Sequence, residues 1–363
     1  MKRIVSISTV VTMACIVIAF MGSFGGERTE ELFDVASASD GFLLIGFSEY
    51  YDEPYIETLV LKTDFDGRIL WAKEYGTPAD DIGRCIAIAD DGSALLVSRV
   101  EAGGNAKLVA RLVDEQGNLV WQNSYGKHSN YSPWRAVYAG DAFVIAGQCM
   151  TDKKYLQASL LKIDLEGRLL WERDFGGEGF DGAMDVIETS DHNLLSTGYS
   201  WIEDHEFLWV ALLDPKGKTL WQKEIGKADS LNLEGRAAAE IDDGYLIAGI
   251  ASDFSGVGYI VRLDLAGELI DETRFSDRFP AALSVLKDDG EYISLLSYVT
   301  VSEEGFGLAR IGDRGKILDE RFFEIASFEP HSFARLSSGK FLVVGTLSDE
   351  DFGRQAFWMS AEF

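Results

Sequence analysis

The stretch Leu61-Lys62-Thr63-Asp64-Phe65-Asp66-Gly67-Arg68-Ile69-Leu70-Trp71-Ala72-Lys73-Glu74-Tyr75-Gly76 reads as strand, tight turn, strand. The apolar run Leu59-Val60-Leu61 leads into an Asp-x-x-Gly turn, where Asp and Gly tolerate the backbone that a tight turn demands. The pattern returns as LVDEQGNLVWQNSYG, LKIDLEGRLLWERDFG and LLDPKGKTLWQKEIG, which spaces Trp71, Trp121, Trp171 and Trp221 by 50 residues. Two further steps keep the frame through Gly267-Glu268-Leu269-Ile270 and Gly315-Lys316-Ile317-Leu318, with Asp271 and Asp319 where the tryptophan stood. A fixed period of this length marks a repeat architecture, in which no unit buries its faces alone.

Before each such hairpin stands another turn, usually acidic: Asp40-Gly41, Asp90-Asp91-Gly92, Gly140-Asp141, Asp191-His192-Asn193, Asp242-Asp243-Gly244, Asp288-Asp289-Gly290 and Ser338-Gly339. A short apolar strand follows each turn and closes on Gly46, Ser98, Gly147, Gly198, Gly249, Ser297 or Gly345. Glycine at a recurring strand position signals a bend or a close backbone approach. Near-continuous apolar strands need cover on both faces. The count is seven copies of three strands and six of a fourth. The fold class is therefore all-β: a seven-bladed β-propeller of four-stranded antiparallel blades, one domain over residues 30–363. The recurring tryptophan is expected to wedge neighbouring blades apart. The chain stops after the third strand of its last unit. One period back from Trp71 and Gly76 lies Met21 and Gly26, across the end of a leader. The expectation is a three-stranded last blade with Glu27–Leu32 along its edge.

That leader, residues 1–25, has a basic start (Lys2-Arg3) and a largely apolar, uncharged run from Ile4 to Met21. It reads as an export signal cleaved after Gly25, with small residues at Gly25 and Ser23; retention as a membrane anchor and lipidation of Cys15 are the alternatives. The expected location is extracytoplasmic: secreted, periplasmic or in the cell envelope. The chain has 33 Lys+Arg against 60 Asp+Glu, a net charge of −27, which argues against sequence-independent nucleic-acid binding. It also disfavours anionic lipid, so membrane contact is expected only if the leader is retained. Cys85 and Cys149 read as two buried thiols rather than a disulfide framework.

The run Leu112-Val113-Asp114-Glu115-Gln116-Gly117 followed by Trp121 resembles the repeat of pyrroloquinoline-quinone-like propellers. The strand from Asp243-Gly244-Tyr245 to Gly249 is similar to repeats of exported bacterial and archaeal propellers. The resemblance spans residues 32–363 and implies the fold. Quinone dehydrogenases of that superfamily hold calcium and a quinone on the axis, with eight blades and often an adjacent-cysteine disulfide. This chain shows seven units, no adjacent cysteines and no matching calcium ligands, so no cofactor is carried over. Non-enzymatic members that scaffold envelope assembly imply a possible protein partner.

No catalytic set stands out. Asp64-Phe65-Asp66-Gly67 lacks the later ligands of a calcium loop and reads as a turn. His128, His192, His205 and His331 have no metal-ligand spacing, so no metal is expected. The long second-to-third-strand loops and the inter-blade connections share one rim with the aromatics Tyr50, Tyr51, Tyr55, Tyr131, Trp134, Tyr155 and Trp201. These suit a glycan or protein partner, or else they cover blade edges. Counting back from the turn glycines puts Arg84, Arg135 and Arg236 at one position of the innermost strand, with His331 there in the last unit. Innermost strands line the channel, and arginine forks suit carboxylate or phosphate. The expectation is an exported, non-catalytic propeller that binds a ligand or protein partner through its long-loop rim and axial mouth, with these four residues as the site for an anionic small molecule or glycan. An enzyme acting on an extracellular glycan or small anionic metabolite at the axial pocket is the alternative. The competing structural reading pairs each arginine with an acid such as Asp81, Asp181 or Glu234.

Overall fold

Asp-x-x-Gly turns and apolar runs at a 50-residue step fold, in the computed structural model, into seven sheets of four antiparallel strands. The structure describes residues 20–25, 29–50, 55–152, 155–203, 205–226, 232–252, 256–275, 279–299, 304–312, 314–337, 339–349 and 353–363. The leader up to residue 19 with Cys15, and Tyr51 of the rim, lie outside them. Among the described residues twenty-eight strands are numbered β1–β28 in chain order. The innermost strands are β2 (Thr29–Ala38), β6 (Asp80–Ile88), β10 (Ser129–Ala139), β14 (Asp181–Glu188), β18 (Asn232–Ile241), β22 (Ala281–Asp288) and β26 (Phe328–Ser337). Each pairs with the strand that follows it, and so on outward, so blades 1 to 6 are simple meanders.

The second and third strands of each blade are covered on both faces. In blade 1, Phe42 to Ile45 and Leu59 to Leu61 are all buried. The core is layered between blades: Leu95, Val97 and Leu108 of blade 2 pack with Phe143, Ile145 and Leu161 of blade 3. The Asp-x-x-Gly turns are held by their first residue. Asp64 Oδ1 accepts the N–H groups of Asp66 and Arg68, each at 2.9 Å, which settles the calcium-like run as a turn.

The tryptophans act at the turn of the next blade. Trp121 Nε1 donates to the Leu165 carbonyl at 2.8 Å, Trp171 to Pro215 at 3.2 Å and Trp221 to Leu265 at 3.2 Å. Their rings lie on the turn glycines. A Cβ at Gly117, Gly167, Gly217 or Gly267 would come within 2.6–2.9 Å of the preceding blade's side chains, the tryptophan ring or, at Gly167, Asn123 beside it. The wedge is therefore half-buried and fixed to backbone.

The last blade corrects the three-stranded expectation. Its sheet runs β1-β28-β27-β26, where β1 is Met21–Phe24, β27 Lys340–Asp349 and β28 Gly353–Glu362. Of the expected edge segment, Thr29–Leu32 instead begins the innermost strand of blade 1, and Glu27 and Arg28 lie outside the described residues. Phe20, not Met21, takes the tryptophan's place: it exchanges hydrogen bonds with Ser360, and its ring lies on Gly67 of blade 1. The step is 71 − 20 = 51 for Phe20 and 76 − 25 = 51 for Gly25. The ring thus closes by pairing the two ends of the propeller within one blade.

Candidate functional site

Every innermost strand breaks register at one shared position, and β10 and β26 each carry a second break elsewhere. The shared breaks fall at Phe33, Arg84, Trp134, Met184, Arg236, Leu283 and His331. A bulge leaves its extra residue unpaired and re-aims the side chain. The recurring glycine of the second strand makes room for it. At Gly46, Gly147, Gly198, Gly249 and Gly345, an added Cβ would meet an innermost-strand carbonyl oxygen at 1.7–2.3 Å. The seven bulged side chains all line one axial cavity of about 640 Å³, a volume within the range for small-molecule sites.

Arg84, Arg135, Arg236 and His331 all line this cavity, but not on one tier. Arg84, Arg236 and His331 are bulge residues. In blade 3 that place belongs to Trp134, and Arg135 stands one residue on, level with Asp34 and Asp185. Its register correction has an electrostatic consequence. Arg135 NH1 lies 3.0 Å from Asp34 Oδ1 and its Nε 3.4 Å from Asp185 Oδ1. Protein surrounds this side chain, yet 38% of it reaches the cavity. It is a brace between two carboxylates rather than a free clamp. Asp34 also accepts Ser332 Oγ at 2.8 Å and the Ile86 N–H at 3.2 Å, and Asp185 accepts the Ala238 N–H at 2.8 Å. Each aspartate therefore fastens its blade to the next.

The acids named beforehand divide likewise. Glu234 pairs with Arg236, Nε to Oε1 at 2.9 Å, as the structural reading expected. Asp81 pairs with Arg111, and Asp181 accepts from Gln157 and the Gly177 N–H. Neither meets Arg84 or Arg135.

Arg84 is different. Its guanidinium lies 4.5 Å from the centre of the Phe33 ring, and among the described residues no carboxylate stands within ion-pair distance of it. Burial lowers its pKa, and the attraction of Glu31 counters this only weakly. Glu31 is engaged by Arg354, Nε to Oε1 at 2.7 Å. On the same Phe33 ring, at 5.1 Å, lies the His331 imidazole. His331 Nδ1 donates to the Leu32 carbonyl at 2.5 Å, which leaves Nε2 toward Glu329 at 3.5 Å. A hydrogen bond from His331 and the charge of Arg354 hold Glu329 down to about 2. The apolar walls are Trp134, Met184, Leu283 and Phe328.

Burial pushes Asp185 from 3.8 up to about 6, against the pull of Arg135. Its proton is held more tightly in the folded state, so its contribution is fully present below about pH 4 and fades as pH rises through 6. A rise of this size corresponds to about 3 kcal/mol. The melting temperature of the wild type relative to Asp185→Asn is expected to fall between pH 4 and 7. A difference independent of pH would show that Asp185 does not titrate there.

The rim aromatics serve two ends. Tyr131 is buried with its hydroxyl on Glu172, and Tyr50 donates to Glu74. Tyr55, Tyr155 and Trp201 are exposed, joined by Phe180, which sequence reading missed. His192 lies on an exposed turn, with a positive φ of 61°. Cys85 and Cys149 are buried free thiols.

No family model and no curated protein matches the chain. Solved structures do. A protein of unknown function from Dyadobacter fermentans superposes with a TM-score of 0.62 at 11% identity, covering 97% of this chain and 100% of that one. The β-propeller domain of the Trilobed protease from Pyrococcus furiosus, described as having an open velcro topology, gives 0.55 at 11%, covering 91% and 95%. A puromycin hydrolase S511A mutant complexed with PGG gives 0.59 at 13%, covering 91% of this chain and 53% of that one. At these identities the likeness is one of fold.

Proposed function

We propose that this propeller binds a small ligand in its axial cavity, one that presents a carboxylate or phosphate on a flat apolar body. The observation that carries the reading is Arg84: a half-buried guanidinium facing a cavity, stacked on Phe33 and, among the described residues, with no carboxylate within ion-pair distance, in a chain of net charge −27. Its exposed fork suits an oxyanion bidentately. Phe33, Trp134, Met184 and Leu283 supply the apolar contact. Arg236, already paired with Glu234, and His331 stand on the same tier as further donors, while Arg135 holds the floor. The basic-then-apolar leader supports a role outside the cytoplasm, and the Asp-x-x-Gly-x-x-x-Trp unit supports membership of the pyrroloquinoline-quinone-like propellers.

The test is calorimetric titration of the wild type with benzoate, citrate, glucuronate and sulfate, repeated with Arg84→Gln. Losing a charge-assisted hydrogen bond costs about 1.5–3 kcal/mol, so the affinity of the best ligand should fall about 10- to 100-fold. Binding that survives Arg84→Gln unchanged, or no binding of any anion, overturns the reading.

A second reading has one observation behind it. Asp185 lines the cavity, and burial raises its carboxyl to about 6, toward the range in which a general acid works. It makes the protein an enzyme acting on a glycan or small anionic metabolite. Incubation with glucuronides and lactones, followed by nuclear magnetic resonance, would show turnover that Asp185→Asn abolishes.

A further inference from the structure

Blade 3 carries a cluster that the axial cavity does not use. His128 precedes β10, Cys149 stands near the end of β11 (Ala142–Met150), and Asp174 near the end of β13 (Leu169–Phe175). Their ligand atoms lie within 4.8 Å of one another. His128 Nε2 is 2.9 Å from Asp174 Oδ2, and Cys149 Sγ is 3.8 Å from Asp174 Oδ1. We propose that these three residues bind a borderline-soft divalent cation, zinc by its chemistry, on the long-loop rim of blade 3. Imidazole, thiolate and carboxylate are the donors zinc takes, and three of them leave one position open. A tetrahedral site needs the widest pair to close by about an ångström, within reach of small side-chain rotations.

The sibling blade argues against a mere hydrogen-bond network. At the same place in blade 1 stands Ser48, whose hydroxyl donates to Glu74 at 3.0 Å. A hydroxyl does that work well; a thiol is a weak donor and acceptor. Blade 3 has exchanged the better hydrogen-bonding group for the better metal ligand and set an imidazole beside it. A cation already lies there. Lys127 Nζ is 2.8 Å from Asp174 Oδ2, on a side chain 53% exposed and free to withdraw. A divalent ion replaces this ammonium on the carboxylate. Cys149 ligates as the thiolate, so binding of the cation releases its proton.

The site is independent of the axial cavity, and its test is spectroscopic. The metal-free full chain is titrated with cobalt(II) and then with zinc in competition. A thiolate-to-cobalt charge-transfer band at one equivalent is expected. Cys149→Ser should abolish the band and weaken zinc at least 10-fold, with the far-ultraviolet circular dichroism kept, since serine fills this place in blade 1. Cys85→Ser, at the other buried thiol, should change nothing. Lys127→Met should tighten zinc several-fold by removing the competing ammonium; a merely structural cluster gives no such gain. No band in the wild type, a band surviving Cys149→Ser, or weaker zinc binding in Lys127→Met overturns the proposal.

Discussion

A chain that begins at Gly26 should melt far below one that begins at Phe20. The shorter chain lacks β1, the outermost strand of blade 7, which pairs Met21 to Phe24 against Ala356 to Met359. It also lacks the Phe20 ring on Gly67 and its hydrogen bonds to Ser360. Phe20, Met21 and Phe24 are half-buried against the core where blades 7 and 1 meet. Full burial of such a side chain stabilises by about 1.5–3 kcal/mol, so together these three contribute about 3–5 kcal/mol. The edge of β28 is also left unpaired, a template for aggregation. Thermal unfolding and limited proteolysis of the two chains measure the effect. Equal melting temperatures would show that β1 is dispensable for closure. Cleavage after Gly25, expected from the leader, would remove this strand. If the protein is exported with β1 in place, cleavage lies before Phe20 or the leader is retained.

Arg111→Met should cost about 3–5 kcal/mol, because it leaves Asp81 charged, buried and unpaired. Both side chains of the pair are fully buried. The guanidinium also donates to Ser98 Oγ at 3.0 Å and to Gln122 at 2.6 Å. Asp81 in turn accepts the Thr77 N–H at 2.9 Å and its hydroxyl at 2.6 Å, and Thr58 of blade 1 bonds Ser98 at 2.7 Å. The network therefore joins two blades. Arg168→Ala is the control: that side chain is 73% exposed beside Asp164, and solvent screening leaves the change nearly without cost. Denaturant unfolding compares the two. Equal small losses would mean that Arg111 stabilises nothing beyond a surface pair.

The fold was legible because its signals are local. Asp64-Phe65-Asp66-Gly67 and its copies state a turn, and the tryptophan step states the period. The bulge ring was half legible. The recurring Gly46, Gly147 and Gly249 mark where the innermost strand comes close, and a count back from each turn reaches Arg84 and Arg236. Blade 3 defeats that count, since its bulge shifts the register by one and gives the place to Trp134. Charge pairing across the axis was hidden for a different reason. Asp34 and Asp185 lie 101 and 50 residues from Arg135, and with 60 acids in the chain no spacing singles them out. Arg111 with Asp81, and His128 with Cys149 and Asp174, were missed because their strands meet only in the folded blade. The closing strand was passed over for a three-stranded last blade, because the 50-residue step back lands on Met21 and Gly26, one residue past Phe20 and Gly25 and across the end of the expected leader.

Crystals soaked with 4-iodobenzoate test the central claim most directly, because iodine reports its own position. Anomalous density is expected inside the axial cavity, with the carboxylate on the Arg84 guanidinium and the ring against the apolar wall of Trp134 and Met184. Density confined to the outer surface, or a carboxylate seated in the cavity away from Arg84, would contradict the account.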